Sequence, residues 1–582
     1  MTEAKMMSLD DIFHEIGGLN RFQLLIILCV YGLKIPSAWS MIQITFTGLV
    51  PPFLCNPNTN LSVETSSSNE SFNSLSNMMK KKSNLNVCFL NGTSCQDFTF
   101  LGDVRTIISE WNLVCDMKWT KATITTIQMA GVLLGAMLAG QFGDYFGRKK
   151  TTYSFFLAHL LFNCVTYFSL NWQMFGALRF CIGATIGANL VMTVPYCSEY
   201  LPLRWRTLIP IIPMWPIGTA IFAGVAFLLP DWRYLHLANA ALSAPFLLGY
   251  FCVPESVRWL ATKGRMSEAF SVIEKIAALN RKPVPAYTMD VIEAVAAAEE
   301  KSRKAGHKYN YLDLFRGKTM VITTLVLGLH WIVLSLVFYG LSFGASSFTG
   351  NVYLNIFIIG IIDIPGNITV IYWSNRFGRK KSTIGFLLIG SLASFGCLAT
   401  ILAAEEVNKG SILRGLSLAA KLGIAGSWVS VQTWVGELYP TVTRSLGYGF
   451  VNTASRVGGM LAPFAINLDD WIVFSFSLMG CITLVTGLLL TLIPETLNQT
   501  LRDSANTADA SMQARPNVVI NQIFTFSNKV PLDNGHTQKS AANECPQDSS
   551  KFYFNQNNNL DLKDNNSGDY SDIKQKFSNT RL

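Results

Sequence analysis

The sequence predicts an all-α membrane protein with about twelve transmembrane helices in two pseudo-symmetric six-helix bundles. Only 14% of the 582 residues are charged and 50% are hydrophobic, whereas soluble domains carry about a quarter charged residues. Apolar runs recur along the chain that are long enough to cross a bilayer, which takes about 20 helical residues. Three short motifs also occur twice in the same order, which indicates a duplicated unit.

The duplicated motifs lie between apolar runs and form three pairs. The pairs are Gly147-Arg-Lys-Lys150 with Gly378-Arg-Lys-Lys381, Glu199-Tyr-Leu-Pro…Arg206 with Glu437-Leu-Tyr-Pro…Arg444, and Pro254-Glu-Ser256 with Pro494-Glu-Thr496. One Gly-Arg-Lys-Lys alone is explained equally well as a solvated basic turn. Three ordered pairs are not explained by chance. A parallel repeat of this size in a membrane protein predicts two halves that face a central cavity.

The apolar runs divide the chain into five parts. We expect a cytoplasmic N-terminus over 1–21, a first six-helix bundle over 22–253, a cytoplasmic helical linker over 254–318, a second bundle over 319–493 and a disordered cytoplasmic tail over 494–582. The predicted spans are 22–45, 121–141, 152–170, 174–197, 207–229, 234–253, 319–343, 352–373, 383–404, 413–435, 446–467 and 471–493.

The polar stretch 46–119, after the first span, is predicted to be an extracellular loop. It contains three N-glycosylation sequons, at Asn60, Asn69 and Asn91. It also contains four cysteines, at Cys55, Cys88, Cys95 and Cys115. Cysteines clustered in one polar loop are typical of disulfides in an oxidising compartment, and the sequons agree with that side of the membrane. The sequence leaves the pairing of the four cysteines open.

Positive charge predicts the orientation of the chain. The basic loops 148–150, 263–318 and 376–381 fall on the same side as both termini, opposite the loop 46–119. Lys and Arg are enriched in cytoplasmic loops, so we expect both termini to be cytoplasmic. The net charge of +9 therefore indicates orientation rather than a nucleic-acid partner.

The sequence contains no pattern that predicts an enzyme. No phosphate-binding loop, metal-ligand spacing or nucleophile–base set stands out, and the six histidines are scattered. We therefore expect no catalytic activity, no cofactor, no bound metal and no ATP-driven pump. The remaining class is movement of a solute down a gradient or coupled to one.

Four motifs resemble solute carrier family 22, the organic cation, organic anion and carnitine transporters of the major facilitator superfamily. They are Glu110-Trp-Asn-Leu-Val-Cys-Asp116, Gly143-Asp-Tyr-Phe-Gly-Arg148, Pro254-Glu-Ser-Val-Arg-Trp-Leu260 and Glu437-Leu-Tyr-Pro-Thr…Arg444. The resemblance covers roughly residues 8–500. It implies the major facilitator fold, one central cavity between two bundles, alternating access and a place in the plasma membrane.

The resemblance gives the charged motifs a role as an inner gate. It implies ion pairs and helix-end contacts that lock this gate in the outward-open state. The candidate gate residues are Asp144, Arg148, Glu199, Arg206, Arg379, Glu437 and Arg444. Single exposed ion pairs contribute only about 0–1 kcal/mol, so such a network can hold a gate closed and still break. The alternative is that these residues only orient the chain and cap helices.

Ionisable residues inside spans are candidates for function by default. Arg456 and Lys421 resemble the anion and carnitine branches of the family, whereas its cation transporters carry aspartate at the Arg456 position. Arg456 would offer a planar fork to a substrate carboxylate. The alternatives are a structural ion pair between Arg456 and Asp363, and a Lys421 side chain that reaches the membrane surface.

The remaining candidates describe the shape and charge of the cavity. Asp363 precedes Asn367, where anion exchangers of the family carry lysine, and this departure counts against dicarboxylate exchange. Arg456, Lys421 and Asp363 together suit a zwitterion, whose ammonium would lie near Asp363 or aromatic faces. The aromatic candidates at family cavity positions are Trp331, Phe338, Tyr339 and Trp428, with Trp215 and Gln432 as further candidates. Each aromatic is explained equally well as core or lipid-facing.

The sequence thus predicts a plasma-membrane transporter of small organic ions, with sodium or a counter-transported ion as a candidate partner. The first choice of substrate is an organic cation or a carnitine-like zwitterion. The runner-up is organic anion exchange. A non-transporting receptor or scaffold is a third possibility, but a static scaffold has no need of two matched sets of gate motifs.

Overall fold

The computed structural model describes residues 8–56, 85–90, 93–95, 97–206, 209–304, 311–348, 350–403, 406–439, 443–466 and 471–497. The sequons at Asn60, Asn69 and Asn91 and the predicted tail from residue 498 onward lie outside these residues. Within the described residues the chain is mainly α-helical, with two small antiparallel sheets.

The first half and the linker contain fifteen of the described helices. They are α1 Leu9–Glu15, α2 Arg21–Cys29, α3 Lys34–Ile42, α4 Ile44–Thr47, α5 Ile107–Glu110, α6 Trp119–Phe146, α7 Arg148–Thr166, α8 Trp172–Ser198, α9 Leu203–Arg206, α10 Met214–Leu228, α11 Trp232–Leu247, α12 Gly249–Cys252, α13 Val257–Thr262, α14 Met266–Asn280 and α15 Thr288–Lys304. Helices α2 to α4 are pieces of one span.

The second half contains six further described helices. They are α16 Lys318–Phe343, α17 Val352–Phe377, α18 Arg379–Ala403, α19 Glu406–Leu438, α20 Arg444–Ala465 and α21 Ile472–Leu489. Nine helical segments in the described part of the chain are long and apolar enough to cross a membrane. Helices α7, α10 and α20 coincide with the three remaining predicted spans.

Several helix boundaries differ from the predicted spans for identifiable reasons. The span predicted over 207–229 begins only at Met214, because Pro213 precedes it and lacks the N–H that a helix interior needs. Helix α6 continues through the polar motif to Phe146, beyond the predicted end at 141. Polar residues at the end of a span can stay helical, since the backbone hydrogen bonds do not depend on hydropathy.

A single glycine joins neighbouring helices in each half. Gly147 separates α6 from α7 with φ +104°, and Gly378 separates α17 from α18 with φ +97°. Side chains other than glycine rarely adopt this backbone region. A Cβ atom at either glycine would also collide with a carboxylate, that of Glu255 at Gly147 and that of Glu495 at Gly378. The duplicated motif therefore encodes the same one-residue turn twice.

Helices α6 and α8 make a close backbone contact through small residues. Gly135 of α6 lies against the backbone of Ala184, and Gly183 of α8 lies against the carbonyl of Gln128. A Cβ atom at either glycine would overlap a backbone carbonyl oxygen. Small residues spaced four apart allow this approach in membrane proteins, where close packing replaces the hydrophobic effect between helices.

The ends of α6 define two faces of the bundle. The disulfide face lies at Trp119, close to Cys115, and the basic face lies at the glycine turns. At the disulfide face, strand β1 Phe53–Asn56 pairs with β4 Asp97–Phe100, and β2 Phe89–Leu90 pairs with β3 Thr93–Ser94. Disulfides join Cys55 to Cys95 and Cys88 to Cys115, so all four predicted cysteines are bonded.

The two halves meet close to the disulfide face. The Phe46 ring stacks on Tyr353 with centroids 5.0 Å apart. Phe227 contacts the same Tyr353 ring edge-on at 5.5 Å. The Thr126 hydroxyl donates a hydrogen bond to the Met460 carbonyl over 2.9 Å. These contacts join first-half and second-half residues and close that end of the cleft between them.

At the basic face, α1 and the linker helices pack on the first half. The Asn280 side chain donates to the Ile16 carbonyl over 2.9 Å and accepts from the Phe22 amide over 3.0 Å. The Tyr287 hydroxyl donates to Glu15 over 2.7 Å. Apolar residues of α1, α8 and α14 share one buried cluster behind these bonds. The first half therefore carries a helical cap.

Glu110 is a charged anchor at the disulfide face. Its carboxylate accepts hydrogen bonds from the Trp232 indole at 2.7 Å and the Arg233 guanidinium at 2.6 Å, and Arg105 lies 3.2 Å away. Burial favours the neutral form, but these bonds and the two arginine charges outweigh it and hold the pKa of Glu110 below its ordinary value. The ionised carboxylate is therefore the form that stabilises this face.

Gly135→Ala is expected to lower the apparent melting temperature of the detergent-purified protein. The added methyl group would force α6 away from Ala184, and overpacking of this kind costs about 1–3 kcal/mol. The matched control is Gly140→Ala in the same helix, where a Cβ atom meets nothing within 4 Å. Equal melting temperatures for the two variants would contradict the close-contact account.

Glu110→Gln is expected to destabilise the protein by about 1–3 kcal/mol at pH 7, because charged hydrogen bonds are replaced by weaker neutral ones. Since the pKa of Glu110 is lowered on folding, its contribution is complete above the ordinary glutamate value of about 4.3 and fades as pH falls through the lower folded value. Melting curves of wild type and variant should therefore converge in acid. Asp103→Asn, at an exposed position of the same segment, is the control; a gap that is independent of pH would contradict the assignment.

Candidate functional site

A small cavity lies in the cleft between the two halves. Its volume is about 10 Å³, which is room for about one water molecule. The first half contributes Ile42, Trp215 and Thr219, and the second half contributes Phe338, Ser342, Ile356, Ile359, Gly360, Asp363 and Lys421. Three predicted site residues, Phe338, Asp363 and Lys421, therefore come together with Trp215 at the point where the halves face each other.

The Lys421 ammonium is held by second-half residues. It donates to the Ser342 hydroxyl over 2.6 Å and to the Phe338 carbonyl over 3.3 Å. It also lies 3.0 Å from the centroid of the Phe338 ring, a cation–π contact. Its side chain is 1% exposed, so it does not reach the membrane surface.

Asp363 is the buried carboxylate of the cavity. It is 5% exposed, and its Oδ1 atom makes no hydrogen bond in the described structure. Lys421 is close enough for its charge to act on Asp363, but the two form no ion pair within 4.0 Å among the described residues. A buried carboxylate oxygen without a partner is costly, because burial removes the water that would solvate it. This atom is a ready acceptor for a cationic or hydrogen-bond-donating ligand.

Arg456 lies in α20 and is 5% exposed. Its Nη2 atom donates to the Asn452 side chain over 3.0 Å, and the Tyr339 side chain lies close enough to interact with its charge. Its Nε–H has no acceptor in the described structure. The structural pair with Asp363 is absent from the described contacts. Part of the guanidinium is therefore free to bind an anion.

Aromatic side chains connect these two charged places. Trp428 lies 5.6 Å from Trp331 and 5.5 Å from Phe338, measured between ring centroids. Trp331 also contacts Tyr448 at 5.9 Å, and Phe338 contacts Tyr339 at 5.4 Å. Trp331 is 1% exposed and belongs to the core, whereas Phe338 lines the cavity. All four predicted aromatics thus lie in one cluster, but they differ in access.

The candidate gate residues form ion pairs inside each half. In the first half, Arg148 lies 2.8 Å from Asp144 and 3.3 Å from Glu199. In the second half, Arg379 lies 3.1 Å from Glu437. These pairs connect neighbouring helices of the same half in an arrangement closed at the disulfide face. The lock of the outward-open state that the resemblance implies therefore stays a prediction.

The two remaining gate arginines lie at different ends of their helices, Arg206 at the end of α9 and Arg444 at the start of α20. Arg206 donates to the carbonyls of Ser198 and Leu201, both over 2.9 Å, and forms an ion pair with Asp10 of the helical cap. Arg444 is the first residue of α20. The partner of Arg206 is thus a residue that the motif analysis did not select.

Two carboxylates that complete the glycine turns were missed as site residues. Glu255 accepts hydrogen bonds from the backbone amides of Arg148 at 2.8 Å and Lys149 at 3.0 Å. Glu495 accepts the equivalent bonds from Arg379 at 2.9 Å and Lys380 at 3.1 Å. Each carboxylate accepts hydrogen bonds from the first amides of a helix, and its negative charge is stabilised by the positive end of the helix dipole. The repeated Pro-Glu pair was the signal that could have identified them.

No group of three or more histidine, cysteine, aspartate or glutamate side chains in the described residues could hold a metal ion.

Comparison with known proteins identifies the family. A family model described as sugar (and other) transporter matches residues 62–525. Human solute carrier family 22 member 13 is 33% identical over 68% of this chain and 70% of its own length. The organic cation transporter protein of Drosophila melanogaster is 31% identical over 69% of this chain and 74% of its own. Mouse solute carrier family 22 member 4 is 32% identical over 69% and 72%.

The fold is shared with solved transporters. The xylose transporter XylE from E. coli, in a partially occluded inward open conformation, aligns over 82% of this chain and all of its own with a TM-score of 0.58 and 16% identity. The predicted all-α major facilitator fold is therefore confirmed. The chain belongs to solute carrier family 22 of the major facilitator superfamily, a family of multi-pass membrane transporters rather than enzymes.

Proposed function

We propose that the protein carries small organic zwitterions of the carnitine type, or related organic cations, across the plasma membrane by alternating access. The observation that carries the proposal is a pair of unsatisfied buried groups of opposite charge. Asp363 Oδ1 lacks a donor and Arg456 Nε–H lacks an acceptor in the described structure. The ammonium of a zwitterion would offset the charge of the first group, and its carboxylate would give the second an acceptor.

The surroundings of Asp363 suit the cationic end of such a ligand. Asp363 shares its cavity with the Phe338 and Trp215 rings. Aromatic faces attract quaternary ammonium groups, which cannot donate hydrogen bonds. Because the Lys421 donors are already directed to Ser342 and Phe338, Asp363 keeps an unpaired oxygen for the ligand. Rearrangement must enlarge the cavity, since about 10 Å³ does not admit a solute.

Arg456 suits the carboxylate end. A guanidinium binds a carboxylate through parallel N–H donors, a geometry that lysine does not reproduce. In this chain the Asn452 side chain holds Nη2 of the guanidinium, and the Nε–H keeps no acceptor in the described structure. The ligand would therefore lie along the aromatic cluster, with its two charges at opposite ends.

Organic anion transport is a second candidate, favoured by the charge balance of the spans. Three cations, Lys34, Lys421 and Arg456, lie inside the described spans. Away from the span ends, Asp363 is the carboxylate that faces them in the described residues. An excess of cations attracts anions. Against dicarboxylate exchange stands Asn367, where family anion exchangers carry lysine. A receptor or scaffold role remains the third candidate, and the two matched carboxylate-capped turns count against it.

The gate motifs are proposed to act through the rigidity of each half. Asp144, Arg148 and Glu199 in the first half, and Arg379 and Glu437 in the second, connect helices that must move together as the cavity changes sides. Arg206 and Arg444 hold matching positions in the repeated motifs, at the end of α9 and at the start of α20. We place both termini in the cytoplasm, because the basic loops lie on their side of the spans.

Parallel uptake assays test the proposal. Cells expressing the chain are given labelled carnitine, tetraethylammonium or para-aminohippurate, with and without external sodium. Saturable carnitine uptake supports the zwitterion proposal, and its loss without sodium would identify the coupling ion. Para-aminohippurate uptake alone would favour the anion candidate. Absence of saturable flux for all three would revive the receptor or scaffold candidate.

Asp363→Asn and Arg456→Gln are expected to separate the two ends of the substrate. Asp363→Asn should raise the KM for tetraethylammonium and for carnitine by about 10- to 100-fold, because a charged contact contributes about 1.5–3 kcal/mol. Arg456→Gln should raise the KM for carnitine and leave carboxylate-free tetraethylammonium less affected. Surface biotinylation corrects for expression. Equal losses for both substrates in both variants would contradict the two-ended model.

Glu255→Gln and Glu495→Gln are expected to lower the maximal uptake rate about 10-fold with little change in KM. Each loses charged bonds worth about 1.5–3 kcal/mol to helix N-terminal amides, far from the cavity. The control is Glu268→Gln, whose carboxylate is 53% exposed and paired with an equally exposed Arg265. Such surface pairs contribute little. Normal rates in both turn variants would count against a mechanical role for the carboxylates.

A further inference from the structure

We propose that Lys34 is a second carboxylate-binding residue, which works with Arg456 across the cleft and makes the protein selective for substrates that carry an oxyanion. The inference rests on the proposed function and deepens it. It assigns Lys34, a residue outside all the motifs, to the anionic end of the substrate.

Lys34 lies at a break in the first span. Helix α2 ends at Cys29, a 3₁₀ turn covers Tyr31–Leu33, and α3 begins at Lys34. Pro36 follows two residues later and lacks the N–H that a continuous helix would use. Interrupted helices near the middle of a span are typical of ligand sites in transporters. The break therefore brings a charged side chain to the depth of the cavity.

The Lys34 ammonium lies in the protein interior with little to satisfy it. Its Nζ atom lies 4.0 Å from the centroid of the Tyr31 ring. It makes no hydrogen bond and no ion pair in the part of the chain that the structure describes. Tyr31 is buried, whereas Lys34 is partly exposed. A cation at membrane depth is expensive unless it faces water or a counter-charge.

The charged and titratable neighbours of Lys34 come from both halves. Cys197 of α8 and Arg456 of α20 are close enough to interact with its charge. Tyr31 similarly lies near Tyr448, which in turn lies near Arg456. Lys34 therefore faces the cleft rather than lipid. Lys34 of the first half and Arg456 of the second therefore lie within electrostatic reach of each other, with two phenols in the same region.

An oxyanion between Lys34 and Arg456 resolves this arrangement. The two cations repel each other, and a carboxylate between them converts the repulsion into two attractions. Arg456 supplies its free Nε–H, and Lys34 supplies an ammonium with three donors. Because Lys34 belongs to the first half and Arg456 to the second, the bound carboxylate would join the halves. The competing explanation is that Lys34 only packs on Tyr31.

The test compares Lys34→Gln with the conservative variant Lys34→Arg in uptake assays. Lys34→Gln should raise the KM for carnitine or para-aminohippurate, whichever wild type carries, by about 10- to 100-fold. The same change should lower the KM for tetraethylammonium, because a like charge is removed. Lys34→Arg should stay within a few-fold of wild type for all three. Surface biotinylation again corrects for expression.

Three uptake results would overturn the inference. One is an unchanged carnitine or para-aminohippurate KM in Lys34→Gln, and another is an equal loss for these substrates and for tetraethylammonium, which a packing role predicts. The third is a wild type that carries only tetraethylammonium. If wild type shows no flux at all, the proposed function fails, and Lys34 is tested by ligand-induced thermal stabilisation of the purified protein. Carnitine and para-aminohippurate should stabilise wild type and not Lys34→Gln; no stabilisation of wild type by either would overturn the inference too.

Discussion

The requirement that a charge inside a membrane span be satisfied by the protein itself governs this structure. Lys421 meets the requirement through Ser342, the Phe338 carbonyl and the Phe338 ring. Asp363 and Arg456 meet it only in part, since each keeps a buried polar atom without a partner. Groups left unsatisfied at this depth lower stability, so their place in the cleft between halves is informative. These are the charges that the proposed substrate would complete.

The same constraint shapes the ends of the spans. Each half has a tight turn after its second membrane span, α6 in the first half and α17 in the second, and a glycine with positive φ provides it. The following helix then begins with exposed amides, which Glu255 and Glu495 satisfy in the two halves. Three features, the glycine turn, the arginine–glutamate ion pair and the carboxylate that caps the helix, thus recur together in the two halves. The two halves therefore share the same hydrogen-bond arrangement at these turns as well as the same sequence motifs.

The sequence was most informative where periodicity and repetition dominate. Apolar runs predicted the spans, and ionisable residues in them predicted Asp363, Lys421 and Arg456. Local chemistry shifted one helix start to Met214, because of Pro213. Contacts between distant residues were beyond prediction: Arg206 meets Asp10, and four cysteines permit three pairings. The bonds of Glu255 go to backbone amides, so no pairing of opposite charges in the sequence indicated them, and only the repetition of Pro-Glu marked the residue. Lys34 acquired meaning only when its neighbours in α8 and α20 were known.

The one-residue turns at Gly147 and Gly378 have a mechanical consequence. A connection of one residue has no slack, and the carboxylate behind it fills the space that a wider turn would need. Helices α6 and α7 are therefore rigidly coupled, as are α17 and α18. A displacement of one helix is therefore passed on to the next helix rather than absorbed by the turn. The compliance that a carrier needs must come instead from sliding at the surfaces where the two halves touch.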